Sequence, residues 1–167
     1  MDTDAKKTAL RMIPYGLYVL TAAAPDGRVG AATVNWVTQA SFDPPLVVVG
    51  VKVASETYEV LSASGAFALN VLGKGQGELA TTFFKPAQVD GNTISDERFH
   101  AGVTGSPILT SLPAYVECRV VERVERGDHA VVVGEVVEAG VASPIEGRPD
   151  DATLTLRDLG ERVFYGG

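Results

Sequence analysis

The chain has 167 residues, 46% of them hydrophobic and 21% charged, the make-up of one ordinary globular domain whose core needs no disulfide or metal staple. Against 21 Asp and Glu stand 14 Lys and Arg, a net charge of −7 that argues against nucleic acid and anionic membranes as partners, because phosphate binding needs clustered cations. The single cysteine, Cys118, excludes an intrachain disulfide, and with two histidines no Cys/His metal site is expected.

In chain order, the first predicted element is a helix over roughly 4–13, capped by Asp4, with Ala9, Leu10, Met12 and Ile13 as its apolar face and Pro14 as its stop. The preceding residues lack the basic-then-apolar layout of a signal peptide, and no apolar run approaches a span of roughly 20 residues, so a cytoplasmic protein is expected. Strands follow at 16–24 and, after the Pro25-Asp26-Gly27 turn, at 28–40. Residues 42–45 (FDPP) break the pattern, and 46–53 (LVVVGVKV) and 67–72 (FALNVL) read as strands apolar on both faces. Short helices are predicted at roughly 56–63, between Ser55 and Gly65, and at roughly 76–84, ending in Phe83-Phe84. Residues 85–106 read as a long loop of functional or interfacial type. A long hairpin follows, 114–126 and 129–139 about the Arg126-Gly127-Asp128 turn, with Val116, Cys118, Val120 and Val124 on one face and Tyr115, Glu117, Arg119, Arg123 and Glu125 on the other. A last short strand is expected at 153–156, before a tail ending in Val163-Phe164-Tyr165-Gly166-Gly167. Many strands with helices only between them imply a mainly β barrel or sandwich in a single domain, 1–167. A Rossmann fold is disfavoured, because it needs helices between the strands and a third glycine after Gly75 and Gly77.

Three segments carry groups suited to a planar, phosphorylated ligand. Residues 32–43 (ATVNWVTQASFD) place Thr33, Asn35, Trp36, Val37 and Thr38 on a strand leaving the core, where amides and hydroxyls can read the edge of a heterocycle beside an indole wall. An ordinary half-exposed strand with one core tryptophan accounts for the same residues. Lys52, Ser55 and Thr57 cluster where a strand runs into a helix start, a place that favours anions, although Ser55 also serves as a plain N-cap. Phe84 and Lys85 can cover a flat ligand and pair with its phosphate, or Phe83 and Phe84 can simply be core aromatics. His129, after a Gly-Asp turn, can meet a second ring or stand exposed in the turn. His100 reads as a loop residue, Cys118 as a buried small hydrophobe and Glu117 as unremarkable.

Taken together, 16–21 (GLYVLT), 32–46 (ATVNWVTQASFDPPL), 67–72, 83–86 (FFKP), 105–109 (GSPIL), 114–119 (AYVECR) and 127–129 (GDH) resemble the flavin reductase-like, FMN-binding split β-barrel family. The wording is closest to the reductase domain of flavodiiron proteins and to the reductase components of two-component flavin monooxygenases. The resemblance implies a Greek-key type split barrel with a few short helices, forming a homodimer with FMN near its interface. FAD is the alternative flavin, and NADH or NADPH the co-substrate. It places ring and ribityl contacts on Thr33, Asn35, Trp36, Val37 and Thr38, phosphate contacts on Lys52, Ser55 and Thr57, Phe84 and Lys85 against the cofactor, and His129 on the nicotinamide side. Many relatives carry small residues around the position of Trp36, so an indole there bears on nucleotide access.

The implied activity is an NAD(P)H:flavin oxidoreductase passing electrons to free flavin, oxygen, ferric iron or a partner such as a monooxygenase. The cofactor supplies the chemistry, which suits a sequence without an acid–base constellation. The alternatives are an FMN-binding electron carrier that does not oxidise NAD(P)H itself and a flavin-free interaction domain that kept the barrel.

Overall fold

The computed structural model describes residues 1–166 and arranges their strands in two antiparallel sheets. Helix α1 spans Thr3–Arg11, followed by strands β1 (Tyr18–Ala23), β2 (Val29–Val34), β3 (Val37–Phe42) and β4 (Pro45–Lys52). Helix α2 (Glu56–Ser64), β5 (Ala66–Val71) and α3 (Gly77–Thr82) come next. Then run β6 (Val89–Asp90), β7 (Thr93–Ile94), β8 (Glu97–Ala101) and β9 (Pro107–Leu109), followed by the hairpin of β10 (Ala114–Glu125) and β11 (His129–Val141).

The larger sheet has the order β2-β1-β5-β10-β11-β4-β3. Its two edge strands, β2 and β3, are consecutive in the chain, so Asn35 and Trp36 carry the backbone from one edge of the sheet to the other. Among the described residues β2 and β3 share no ladder, and this seam is where the barrel is split. Inside lie Leu20, Val49, Phe67, Leu69, Cys118 and Val132, with Tyr58, Val60 and Leu61 of α2 closing one mouth. Ser55 caps α2 by accepting from the Tyr58 amide, and Gly65 ends the helix at φ +67, a left-handed conformation that favours glycine.

β1 shows why such strands read as apolar on both faces. Leu20 points into the barrel, whereas Val19 joins a second core outside it with Leu72, Phe83, Ile94, Leu109 and Leu156. Asn70 pins that outer layer. Its Nδ2 donates to the Val19 carbonyl at 3.2 Å and to Thr21 Oγ1 at 3.1 Å, and its Oδ1 accepts from the Leu109 amide at 2.9 Å.

Several sequence expectations are corrected here. α1 is capped by Asp2, whose carboxylate accepts from the Asp4 and Ala5 amides, and its apolar face packs on nothing: none of its residues is buried. The strand expected at 28–40 divides at Asn35-Trp36 because the chain must change sheet edges there. In β4 only Val49 and Val51 are fully buried. The expected loop 85–106 holds β6, β7 and β8, which with β9 form a four-stranded sheet. The expected strand at 153–156 reduces to single bridges, Gly16 with Thr155 and Gly73 with Thr153, beside one-turn 3₁₀ helices at Pro149–Ala152 and Leu156–Leu159. Register shifts in β10 break the expected alternation, leaving Val124 38% exposed.

Glu117 is the largest departure. It is 1% exposed, and its carboxylate accepts from the Val103 amide at 3.0 Å, the Thr104 amide at 2.8 Å and the Thr104 hydroxyl at 2.7 Å. A buried carboxylate is tolerated because three donors satisfy it. Glu117→Ala is expected to cost about 2–4 kcal/mol by stranding those donors. A urea midpoint indistinguishable from the parent's would show that the 102–106 turn is held by something else. Cys118 is fully buried, and burial, with a smaller contribution from the Glu117 charge, pushes its thiol up to about 12. Iodoacetamide is therefore expected to spare the folded protein and label it only in denaturant. Labelling of the native state at the rate of an exposed thiol would contradict the packing.

Candidate flavin site

A cavity of about 400 Å³ opens along the seam, within the size range of small-molecule sites. One wall is β2 from Ala32 to Val34, continued by Asn35. The opposite wall is the end of β4 (Gly50, Val51, Lys52) with Ser55 before α2. Phe83 and Phe84 close it beside α3, His129 enters from the start of β11, and Val163, Phe164 and Tyr165 lie across it.

The crossing at Trp36 is fixed by the Gly50 amide, which donates to the Trp36 carbonyl at 2.9 Å. The approach is close, and a side chain at position 50 would press on the indole. A Cβ on Gly50 would sit 3.0 Å from the indole ring. Trp36 packs on the His129 ring, with centroids 4.6 Å apart, and on the Tyr165 ring at 5.4 Å. Its indole Nε1 is buried without a hydrogen-bond partner, a donor left over beside the cavity.

His129 is tied at both nitrogens. Nδ1 lies 3.0 Å from Asp128 Oδ1, and Nε2 lies 2.8 Å from the Tyr165 hydroxyl. A carboxylate only accepts, so Nδ1 carries a proton in this pair. In the neutral ring Nε2 then accepts from the phenol. The hydrogen bond from His129 is the main cause holding the Asp128 carboxyl below its ordinary range. Burial, then the Asp128 charge, pushes the Tyr165 phenol up and keeps it protonated.

The seam thus brings together six of the residues singled out from sequence: Thr33, Asn35, Lys52, Ser55, Phe84 and His129 all border the cavity, with Trp36 behind His129. The Thr33 hydroxyl is already engaged, donating to the Ala80 carbonyl at 2.8 Å and so fastening β2 to α3. The Ser55 hydroxyl donates to the Lys52 carbonyl at 2.6 Å, which draws the turn together.

Four expected residues lie off the cavity. Val37 packs against the barrel core. Thr38 is exposed, and its hydroxyl donates to the Gln39 carbonyl. Thr57 is buried where α2 meets Gly30 of β2. Lys85 is exposed after α3. Val37 and Thr38 alternate on β3 past the part of the crossing that borders the cavity, Thr57 lies two residues beyond Ser55, and Lys85 follows Phe84.

Val163, Phe164 and Tyr165 escaped the sequence reading, which passed them over as a tail. A signal was present. Three apolar or aromatic residues follow the polar stretch 157–162.

The sequence pattern described as the flavin reductase like domain matches residues 10–158. The chain is 34% identical over 174 residues to a flavin reductase (NADH) of Kitasatospora aureofaciens, covering 93% of this chain and 90% of that protein. It is also 34% identical over 143 residues to diflavin flavoprotein A 1 of Synechocystis sp., covering 85% of this chain and 25% of that one. Among solved structures, the styrene monooxygenase flavin reductase of Pseudomonas putida S12 superposes with a TM-score of 0.69 at 30% identity, covering 81% of this chain and 85% of that one. Against three of the matching relatives, the chain spans between 25% and 57% of their length.

Proposed function

The chain belongs to the flavin reductase-like domain family, and on that premise we propose that it is an NAD(P)H:flavin oxidoreductase holding FMN in the seam cavity. The observation that carries the reading is one of placement. The β2–β3 crossing and the Lys52–Ser55 turn, far apart in sequence, form opposite walls of one cavity. Lys52 supplies the cation that a net charge of −7 would otherwise deny to a phosphate. The start of α2 adds amides that the helix itself leaves unsatisfied. Glu56 and Glu59 in the first turn of α2 oppose an anion, which makes the Lys52 charge the deciding contribution. The apolar walls of Val34, Phe83 and Phe84 suit a flat ring.

When bound, the flavin supplies the redox chemistry, accepting hydride from the reduced nicotinamide and releasing electrons onward. The protein's part is to position and shield. Phe83 and Phe84 exclude water, Asn35 and Trp36 set the edge of the slot, and Asp128 orients His129 towards the second ring. The reading is of one domain, 1–167, working in the cytoplasm. Among the described residues, no helix is long and apolar enough to cross a membrane. Electrons leave to free flavin, oxygen, ferric iron or an oxygenase. Relatives bear names such as stachydrine N-demethylase reductase subunit. FAD is the alternative cofactor, since one solved relative, from Streptomyces globisporus, is an NADH:FAD oxidoreductase.

A second reading, an FMN-binding electron carrier, is favoured by one observation. Tyr165 already bonds His129 on the side where the nicotinamide would lie. Anaerobic addition of NADH or NADPH to the flavin-loaded protein separates the two. Bleaching of the flavin band within seconds is expected, and a spectrum that stays oxidised with both donors refutes the reductase. In Lys52→Ala, FMN affinity is expected to fall by about 10-fold. An unchanged dissociation constant would remove the phosphate from that turn.

We also propose a homodimer. The β10–β11 hairpin leaves Val121, Val131, Val137 and Val141 exposed along its length, apolar side chains that a second copy would cover. Sedimentation at micromolar concentration is expected to give twice the chain mass, and a single-chain mass overturns the dimer.

A further inference from the structure

One aromatic ring beside His129 comes from the chain itself. The Tyr165 hydroxyl lies 2.8 Å from His129 Nε2, its carbonyl accepts from Asn35 Nδ2 at 3.3 Å, and its ring packs on Trp36. For a residue so centrally bonded it is weakly enclosed: Tyr165 is 47% exposed and Phe164 51%. No sheet ladder holds residues 164–166; side-chain contacts do. The remaining fastening comes from Arg11 of α1, whose Nε donates to the Gly166 carbonyl at 3.3 Å and whose guanidinium lies 4.5 Å over the Phe164 ring. α1 buries none of its residues, and Arg11 is the contact through which it meets the site.

We infer that residues 163–166 form a displaceable strap, in which Tyr165 keeps the seat of the donor's nicotinamide until that ring takes its place. The inference rests on the reductase reading above and gives Tyr165 and Arg11 roles in donor access. The chemistry of exchange is balanced. A carboxamide N–H₂ can give His129 Nε2 the hydrogen bond that the phenol O–H gives it, and its carbonyl can accept from the Trp36 N–H, which has no acceptor while the strap is seated. Because strap and donor compete for one place, the apparent donor affinity is lowered by the fraction of molecules with the strap seated. The bulk of Trp36 gives the strap a surface to rest on, with the Tyr165 ring 5.4 Å from the indole.

The test compares the flavin-loaded wild type with Arg11→Ala, which loosens the strap from outside the cavity, and with Tyr165→Ala, which empties the seat. In Arg11→Ala the KM for NADH is expected to fall about threefold or more, with kcat held. Trp36 is the only tryptophan, so its quenching by acrylamide reads the cover directly. Quenching is expected to rise about twofold or more in both variants. Equal quenching in all three proteins overturns the strap, as does an unchanged or raised KM in Arg11→Ala. Failure of the reductase reading looks different. None of the three proteins would bleach with NADH or NADPH, while the quenching series would still decide whether the strap covers Trp36.

Discussion

The two-residue crossing at Asn35-Trp36 is the constraint on which the rest depends. β2 and β3 are neighbours in sequence but lie at opposite edges of a seven-stranded sheet, so the sheet has to curl until those edges meet. Two residues could close an ordinary hairpin, but here β2 pairs only with β1 and β3 only with β4, so among the described residues the two edges share no ladder and a gap is left between them. The gap is lined by backbone and side chains of both edges, and it is the cavity. Gly50 eases the closure by bringing β4 against the indole without a Cβ and donating its amide to the Trp36 carbonyl. The ligand site is therefore a by-product of closing the barrel and not an addition to it.

Around this seam the fold spends its buried polar groups on fastening one layer to another. Asn70 ties β9 to β1, Glu117 clamps the 102–106 turn, and Thr33 holds α3 to β2. Each is satisfied by backbone donors or acceptors, which is the condition under which burial of a polar side chain stops being a penalty. By contrast, the polar groups at the seam are only partly satisfied: the Trp36 N–H has no partner, and His129 is engaged by a tyrosine that is itself half exposed. The scaffold has its own exception, the buried Ser62 hydroxyl of α2, which lacks a partner away from the cavity.

Electrostatics follow the same division. The protein is acidic overall, yet Lys52 sits in the wall of the cavity and Asp128 lies outside it, orienting His129. A net charge read from composition thus describes the far field, while one lysine at a helix start sets the local one.

Much of this was legible without coordinates. Apolar runs rich in strand-forming residues located β1, β4 and β5, alternation located the β10–β11 hairpin, Ser55 and Gly65 bounded α2, and the order of short motifs pointed to the split barrel. These are local properties, in which the period of the side chains and the chemistry of caps and turns act over a few residues. The break at Asn35-Trp36, the burial of Glu117 and the direction of Thr38, Thr57 and Lys85 were decided only in three dimensions. They depend on which distant strand lies alongside, and a shift of one residue along a strand reverses the face without changing the composition. The same reason hid Tyr165: nothing near it in sequence announces that His129, Asn35 and Arg11, brought together by barrel closure, would become its neighbours.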